Sequence, residues 1–154
     1  GLGYVGLPVA ALFAQKGYDV IGVDIKAERV DKINQGISPI EGKEPGLSEL
    51  LREVADSGKL RATTDYQALA DRDVVLIDVE TPVNDQHVSE YQALRSELFS
   101  LAKVMKRGVL VVVESTIMPG TMQNIVLPIS RTCLLYDNSF TFFTWLWSNI
   151  SQYL

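Results

Sequence analysis

The first six residues of the chain read GLGYVG, so that three glycines stand at the spacing G-x-G-x-x-G. After the segment that follows, the short apolar stretch 20–23 ends on Asp24. In a βαβ unit, glycines at this spacing form a tight turn before a helix, and an acidic residue after the second strand accepts hydrogen bonds from a ribose. The pattern therefore predicts a dinucleotide site. Gly1, Gly3 and Gly6 would surround the diphosphate, and Asp24 would bind the adenosine ribose.

The composition and net charge of the chain indicate which classes of partner to expect. The chain has 154 residues, of which 47% are hydrophobic and 21% charged, as expected of one globular domain with a proper core. Its net charge of −5 argues against nucleic acid as a partner. The single cysteine, Cys133, excludes a disulfide framework and predicts a cytoplasmic location. Residues 138–154 carry no charge but are too polar for a membrane span, so no membrane partner is expected.

Hydrophobic periodicity predicts alternating helices and strands, and hence an α/β fold with a parallel sheet covered on both faces. The first helix carries Val5, Val9, Leu12 and Phe13 on one face and ends before Gly17. The other predicted helices are 27–35, 47–57, 66–70, 90–106 with a capping box at Ser89 and Gln92, and 121–127, which Pro128 ends. The predicted strands are 19–23, 60–63, 73–79 and 109–113.

The character of the sequence changes after Pro128. Residues 129–154 are rich in aromatic side chains, contain few charges and show no amphipathic period or turn signals around a strand. The sequence therefore predicts a domain over 1–128 and an atypical tail over 129–154 that is foreign to it.

Two stretches with hydroxyl groups follow predicted strands, around Thr81 and around Ser115 and Thr116. In doubly wound folds, ligands bind at the carboxyl ends of the strands, which suits these hydroxyls to the nicotinamide ribose and the substrate. Ordinary strand-to-helix turns, in which Ser and Thr act as caps, are an equally good interpretation.

Several motifs stand together in order and spacing. They are GLGYVGLP over 1–8, Asp24-Ile25, Glu44-Pro45-Gly46-Leu47, Thr81-Pro82, and Glu114-Ser115-Thr116 with Pro119-Gly120-Thr121. As a set, from Gly1 to about Pro128, they resemble the cofactor domain of the nucleotide-sugar 6-dehydrogenases, such as the UDP-glucose, UDP-N-acetylglucosamine and UDP-N-acetylmannosamine dehydrogenases. Residues 7–8 and 114–116 resemble the N-acetylhexosamine branch more closely.

The resemblance implies a Rossmann-type doubly wound sheet and a four-electron oxidation. The C6 alcohol of a UDP-sugar becomes a uronic acid for polysaccharide synthesis, in two hydride transfers to NAD through a thiohemiacetal on a cysteine. No metal is implied, and the full-length protein would be a homo-oligomer. By this similarity, Tyr4 and Val5 supply turn contacts, and Asp24 with Arg29 holds the adenosine ribose.

The resemblance also assigns two roles to the hydroxyl stretches. Thr81 would line the cofactor cleft. Thr116 would bind cofactor and, as the candidate catalytic residue, would position water or substrate near the reacting carbon. The turn over 44–47 would be structural.

The chain also departs from the family. The family's catalytic cysteine, lysine and asparagine, and its glutamate after the fifth strand, have no counterpart in these 154 residues. Cys133 lacks their glycine-rich context and is expected to be an inert thiol, and His87 to be solvated. The sequence thus predicts a fragment that is inactive alone.

The fold implied by the resemblance has strand order 3-2-1-4-5, and its central first strand would precede Gly1. We expect the remaining strands to form two separate pairs and the fragment to fold poorly, unless residues 140–146 fill the gap. Two other functions stay open from the sequence: a non-catalytic NAD-binding module, and another Rossmann enzyme such as a β-hydroxyacid dehydrogenase or a methyltransferase.

Overall fold

The computed structural model describes residues 1–42, 44–86, 89–133 and 141–144. These residues fall into two compact units, Gly1–Ala68 and Leu69–Leu154. The predictions for His87 and for the thiol of Cys133 lie outside the described residues and side chains, as do 134–140 and 145–154 of the predicted tail.

The first unit contains two strands and three helices: α1 Gly6–Gln15, β1 Val20–Val23, α2 Ala27–Asn34, α3 Leu47–Asp56 and β2 Leu60–Thr63. The strands β1 and β2 are parallel, with Val20 opposite Leu60 and Val23 opposite Thr63. A short 3₁₀ turn, Tyr66–Leu69, follows them. All of these elements confirm the helices and strands predicted for this half of the chain.

The core of the first unit lies between the helices and the sheet. The predicted inward residues of α2, Val30 and Ile33, are buried, and so are Leu47, Leu51 and Val54 of α3. Leu2, from the segment that leads into α1, is 3% exposed and joins this core. The glycine-rich segment is therefore anchored in the core immediately beside its turn.

The buried face of α1 differs from the expected one. Val5, Leu12 and Phe13 are 57%, 51% and 44% exposed, and the buried residues are instead Gly6, Leu7, Ala10, Ala11 and Ala14. Alanines bring α1 close to β1 and α3, the elements it contacts. Small side chains at the tightest interface thus replace the large apolar residues that periodicity favoured.

The second unit contains β3 Val74–Ile77, α4 Gln92–Ala102, β4 Leu110–Val113, a π-helical turn Met122–Val126, α5 Leu127–Cys133 and β5 Thr141–Thr144. Its three strands are parallel, in the order β3-β4-β5. The predicted inward face of α4 is confirmed, because the following residues are all buried: Leu94, Leu98, Leu101, Ala102 and Met105.

Three local expectations for the second unit were wrong. The capping box does not form, because α4 begins at Gln92 without a side-chain cap and Ser89 pairs with Val83 in an isolated bridge. Pro128 does not end a helix. It is the second residue of α5, which follows the π-helical turn Met122–Val126 without a break. The nearly continuous apolar run 73–79 also predicts a strand buried on both faces, but Val74 of β3 is 53% exposed.

As the sequence predicts, the strands form separate groups: β1 pairs with β2, and β3 pairs with β4. The second group has an additional strand, β5, for which the sequence offered no turn signal. Thr141–Thr144 pairs with β4 on the side away from β3, so the alternative that this segment fills a gap beside β1 is wrong. The domain boundary at residue 128 stays a prediction.

Within the described residues, no helix has the length and apolar character needed to cross a membrane.

Candidate functional site

The glycine-rich segment forms a turn that leads directly into α1. Leu7 N donates to Gly3 O at 3.1 Å, and Val9 N donates to Val5 O at 3.2 Å. The N–H groups of Leu7 and Val9 are therefore occupied, while the positive end of the helix dipole at this turn still favours a negative charge. No acidic residue occupies the first turn of α1, so no carboxylate competes with a bound anion there.

Gly3 has no structural reason to be glycine. A Cβ built on Gly3 would have no other atom within 4 Å, and its φ is not in the left-handed region. Neither the packing of the protein nor its backbone geometry therefore excludes a side chain at this position. The space beside Gly3 is therefore open to whatever approaches the backbone at this turn.

Asp24 is the centre of the site in the first unit. It is 5% exposed and follows β1 directly. Its Oδ2 accepts hydrogen bonds from Leu2 N at 2.9 Å and from Arg29 Nη1 at 2.8 Å. Its Oδ1 accepts from Lys26 N at 2.9 Å. The predicted acid thus contacts the glycine-rich segment itself, and Arg29 completes the same cluster.

The charge of Asp24 is stabilised by these contacts. Burial alone would raise its pKa, but the Arg29 guanidinium and the amides of Lys26 and Leu2 outweigh burial and lower the pKa. A carboxylate offers about four acceptor positions, and the protein fills three of them. The described residues supply no side-chain or backbone donor for the fourth position.

A contact between Leu2 and Gly22 of β1, which the sequence did not predict, fixes this arrangement. A Cβ on Gly22 would lie 2.5 Å from Leu2 Cδ2 and 2.8 Å from Leu2 Cδ1. The side chain of Leu2 therefore lies directly over Gly22, while its backbone N–H binds Asp24. A glycine inside a strand is the sequence signal for such a close approach.

Tyr4 and Val5 lie on the outside of the turn, where they are 65% and 57% exposed. Tyr4 Oη donates to Glu41 O at 3.3 Å and so connects the turn to the loop between α2 and α3. At the end of that loop, Gly46 precedes α3 with a φ of 81°, which glycine adopts without strain.

Thr81 and Thr116 lie together in the second unit, at the carboxyl ends of β3 and β4. Thr81 Oγ1 donates to Thr116 O at 2.8 Å. Beside them, Ser115 Oγ accepts from Val79 N at 2.9 Å and donates to Val79 O at 2.8 Å. The hydroxyls of Thr81 and Ser115 therefore join the two segments that follow the strands at this edge of the sheet.

Tyr91 is hydrogen-bonded to the segment that follows Thr116. Its Oη accepts from Met118 N at 3.0 Å and from Thr121 Oγ1 at 3.1 Å. Burial raises the pKa of Tyr91, but the hydrogen bonds from Thr121, Met118 and Ser89 outweigh it and lower the pKa. Sequence reasoning assigned Tyr91 no role, because its partners come from a distant part of the chain.

The structure thus contains two clusters of predicted residues. The turn, Asp24 and Arg29 form one in the first unit, and Thr81 with Thr116 forms the other in the second. Among the described residues, no group of His, Cys, Asp and Glu is arranged to bind a metal ion.

Comparison with known proteins identifies similar nucleotide-sugar dehydrogenases. The UDP-N-acetyl-D-mannosamine dehydrogenase of Pyrococcus horikoshii is 43% identical over 123 residues, which are 80% of this chain and 29% of that protein. The GDP-mannose 6-dehydrogenase of Pseudomonas savastanoi pv. phaseolicola is 41% identical over 137 residues, which are 86% of this chain and 31% of that protein.

Solved structures give the same result. A ternary complex of GDP-mannose dehydrogenase from Pseudomonas aeruginosa matches with a TM-score of 0.87 and 35% identity, over 94% of this chain and 34% of that one. UDP-D-ManNAc dehydrogenase from Pyrococcus horikoshii matches with a TM-score of 0.83 and 38% identity, over 92% and 34%. The chain therefore spans about a third of the length of these relatives, and the match confirms the predicted Rossmann-type α/β fold.

Residues 1–142 match the family described as "UDP-glucose/GDP-mannose dehydrogenase family, NAD binding domain". This match extends beyond the predicted boundary at Pro128. It confirms NAD as the cofactor and sets aside the alternative of another Rossmann dehydrogenase or a methyltransferase. The chain belongs to the UDP-glucose/GDP-mannose dehydrogenase family, whose NAD-binding domain it matches over residues 1–142.

Proposed function

We propose that the diphosphate of NAD lies against Gly1, Gly3 and Gly6 at the start of α1, and that Asp24 binds the adenosine ribose. The observation that carries this proposal is the 2.9 Å hydrogen bond from Leu2 N to Asp24 Oδ2, which joins the glycine-rich segment to the acid. A ribose and the diphosphate bonded to it need such adjacent partners. Tyr4 and Val5 supply further contacts on the outside of the turn.

The pairing of Asp24 with Arg29 supports NAD rather than NADP. Arg29 is the cation that a 2′-phosphate would need, but its Nη1 is 2.8 Å from the Asp24 carboxylate. A 2′-phosphate would therefore meet a buried negative charge that is already neutralising the guanidinium. The 2′-hydroxyl of NAD instead matches the remaining acceptor position of Asp24.

We propose that the whole protein oxidises the C6 alcohol of a UDP-sugar to a uronic acid, with a UDP-N-acetylhexosamine as the favoured substrate. When bound, NAD accepts the hydride in each of two oxidation steps, and one water supplies the second carboxylate oxygen. The motifs over 7–8 and 114–116 support the N-acetylhexosamine preference. The similarity to the UDP-N-acetyl-D-mannosamine dehydrogenase agrees with it.

The roles of Thr81 and Thr116 belong to the same proposal through the resemblance. Thr81 is assigned to the cofactor cleft, and Thr116 to the cofactor and to positioning water or substrate. Thr81 Oγ1 is bonded to the backbone carbonyl of Thr116, so loss of the Thr81 hydroxyl removes a bond that positions Thr116, whereas substitution of the Thr116 side chain leaves the acceptor in place. We also propose a domain over 1–128, a cytoplasmic location and, for the full-length protein, a homo-oligomer.

Titration of the 154-residue chain with NADH, NADPH and S-adenosylmethionine tests the cofactor proposal. We expect binding of NADH alone, and at least a tenfold loss of NADH affinity in Asp24→Asn. Asp31→Asn is the matched control, because Asp31 is an exposed acid on α2. Equal NADH affinity in Asp24→Asn and Asp31→Asn would contradict the role given to Asp24.

The substrate proposal needs the longer coding sequence that includes the family's lysine, asparagine and cysteine segments. Its product is assayed with NAD and four sugars: UDP-N-acetylmannosamine, UDP-N-acetylglucosamine, UDP-glucose and GDP-mannose. We expect two molecules of NADH per sugar and the highest kcat/KM with a UDP-N-acetylhexosamine. Binding of NADH without oxidation of any of these sugars would support the non-catalytic module instead.

A further inference from the structure

Two carboxyl groups stand side by side where β3 and β4 end. The last paired residues of these strands are Ile77 and Val113, so Asp78 and Glu114 are the next residues along each strand. The backbones are still paired there, because Glu114 N donates to Ile77 O at 3.0 Å. The parallel register therefore brings the two acids together, although 36 residues separate them in the sequence.

The parallel register places the two side chains next to each other on the same face of the sheet, where a hydrogen bond between the carboxyl groups would join them. Ionised carboxylates only accept hydrogen bonds, so this bond requires a proton on one of them. Each group also has one buried oxygen, Asp78 Oδ1 and Glu114 Oε2, for which the described residues offer no donor. With both groups ionised, these oxygens would lack donors and two negative charges would lie in contact.

The surroundings favour retention of that proton. Burial raises the pKa of Asp78 and the pKa of Glu114, and the negative charge of Asp78 raises the pKa of Glu114 further. The positive charge of the Gly1 ammonium acts in the opposite direction on the pKa of Asp78, but burial outweighs it. The ion pair of Asp73 with Lys106 lies at the opposite end of β3, about 17 Å away at about 3.3 Å per residue. Glu80, two residues beyond Asp78, is exposed.

We propose that Asp78 and Glu114 hold one proton between them and that this proton fastens the carboxyl ends of β3 and β4 together, so that its loss separates the two ends. The proton belongs to the pair rather than to either residue. This shared-proton pair is a pH-sensitive device built into the edge of the sheet.

The pair lies next to the hydrogen bonds that join the segments after β3 and β4. Ser115, next to Glu114, is bonded to Val79, next to Asp78. Further along the same two segments, Thr81 Oγ1 donates to Thr116 O. Repulsion between the acids acts on these bonds first. The consequence for cofactor binding by Thr81 and Thr116 rests on the proposed function, whereas the shared-proton pair itself does not.

The sign of the stability effect follows from the raised pKa values. The folded pair keeps its proton at a pH where the unfolded chain has lost it, so stability falls as pH rises. The window begins near pH 4, where an exposed carboxyl ionises, and ends above the raised pKa of the pair. For each tenfold difference in proton affinity between the folded pair and the unfolded chain, the folding equilibrium constant changes tenfold across this window.

Thermal unfolding of the 154-residue chain between pH 4 and pH 8, followed by circular dichroism, tests the pair. In Glu114→Gln the amide N–H donates to Asp78 without a titrating proton, and Asp78→Asn does the same from the other side. We expect the Tm of the wild type to fall, relative to both variants, by roughly 3–6 °C per tenfold difference in proton affinity. Glu80→Gln, the matched control at an exposed position, should keep the wild-type slope.

Parallel pH profiles of wild type and Glu114→Gln would overturn the proposal, as would the absence of any cooperative transition. Infrared difference spectra of the wild type supply a test that needs no variant. At about pH 6, where exposed carboxyls are ionised, the carbonyl stretch of a protonated carboxyl should persist. Its absence contradicts the shared proton, whereas failure to bind NADH contradicts only the proposed function.

Discussion

The close contact between Leu2 and Gly22 predicts that one methyl group added at position 22 destabilises the protein. In Gly22→Ala the new Cβ would lie 2.5 Å from Leu2 Cδ2, 2.8 Å from Leu2 Cδ1 and 3.0 Å from Leu2 Cγ. Because the whole side chain is overlapped, rotation of one methyl group does not relieve the clash. The backbone of Leu2 is also restrained, because its N–H donates to Asp24 Oδ2.

The cost of this substitution follows from two opposing effects. Overpacking of a well-packed core costs about 1–3 kcal/mol. Replacing glycine by alanine also reduces the entropy of the unfolded chain, which favours folding by about 0.4–1 kcal/mol. Because Leu2 is 3% exposed and has little space to move into, the clash dominates. We expect a net loss of about 1–2 kcal/mol in the free energy of unfolding.

Urea unfolding followed by far-UV circular dichroism measures this loss. Gly3→Ala is the matched control. It makes the same chemical change where a Cβ meets no atom within 4 Å, and its stability should stay within about 0.5 kcal/mol of the wild type. In a double-mutant cycle, Leu2→Ala should make Gly22→Ala harmless, with a coupling energy of at least about 1 kcal/mol. Equal stability of the two glycine variants, or additive effects in the cycle, would refute the reasoning.

Three further substitutions are expected to have measurable effects. Asp24→Asn should cost about 1–3 kcal/mol at pH 7. Because the pKa of Asp24 is lowered, its contribution is present above the usual aspartate pKa and is lost as pH falls through the lowered value, so the variant should lose less stability on acidification. Ser115→Ala removes the hydroxyl bonded to both Val79 N and Val79 O and should lower the free energy of unfolding by about 1–3 kcal/mol, with no loss in Ser115→Thr if the bonds are kept. Asn34→Asp keeps the bond to Ala62 N but loses the donor to Ala62 O, so urea unfolding should show a loss of about 1 kcal/mol that is recovered below the pKa of the new acid.

Much of the fold was predictable because several helices have one dominant apolar stripe. In α2 and α4 the large apolar residues are also the buried ones, so periodicity identified Ile33 and Leu98 correctly. In α1 that assumption failed. Ala10 and Ala14 occupy the tight interface, while Phe13 is exposed and packs edge-on against Tyr18. Periodicity weights a residue by its hydrophobicity, whereas close packing of a helix favours small side chains.

The candidate site was predictable to a similar degree. The glycine spacing and the position of Asp24 are local features of the sequence, and the structure brings them within hydrogen-bond distance. The pairing of Asp78 with Glu114 and the contact of Leu2 with Gly22 depend on strand register and on packing. Neither leaves a local pattern, because each joins residues through space. The π-helical turn over 122–126 has no simple sequence signal either.

The most direct test of the account compares NADH binding by the wild type and by Gly3→Ala, with the stability of each measured in parallel. If the diphosphate lies against the backbone at Gly3, the added methyl group should lower NADH affinity at least tenfold while the free energy of unfolding stays within about 0.5 kcal/mol of the wild type. Unchanged NADH affinity in a folded Gly3→Ala chain would contradict the placement of the dinucleotide at this turn.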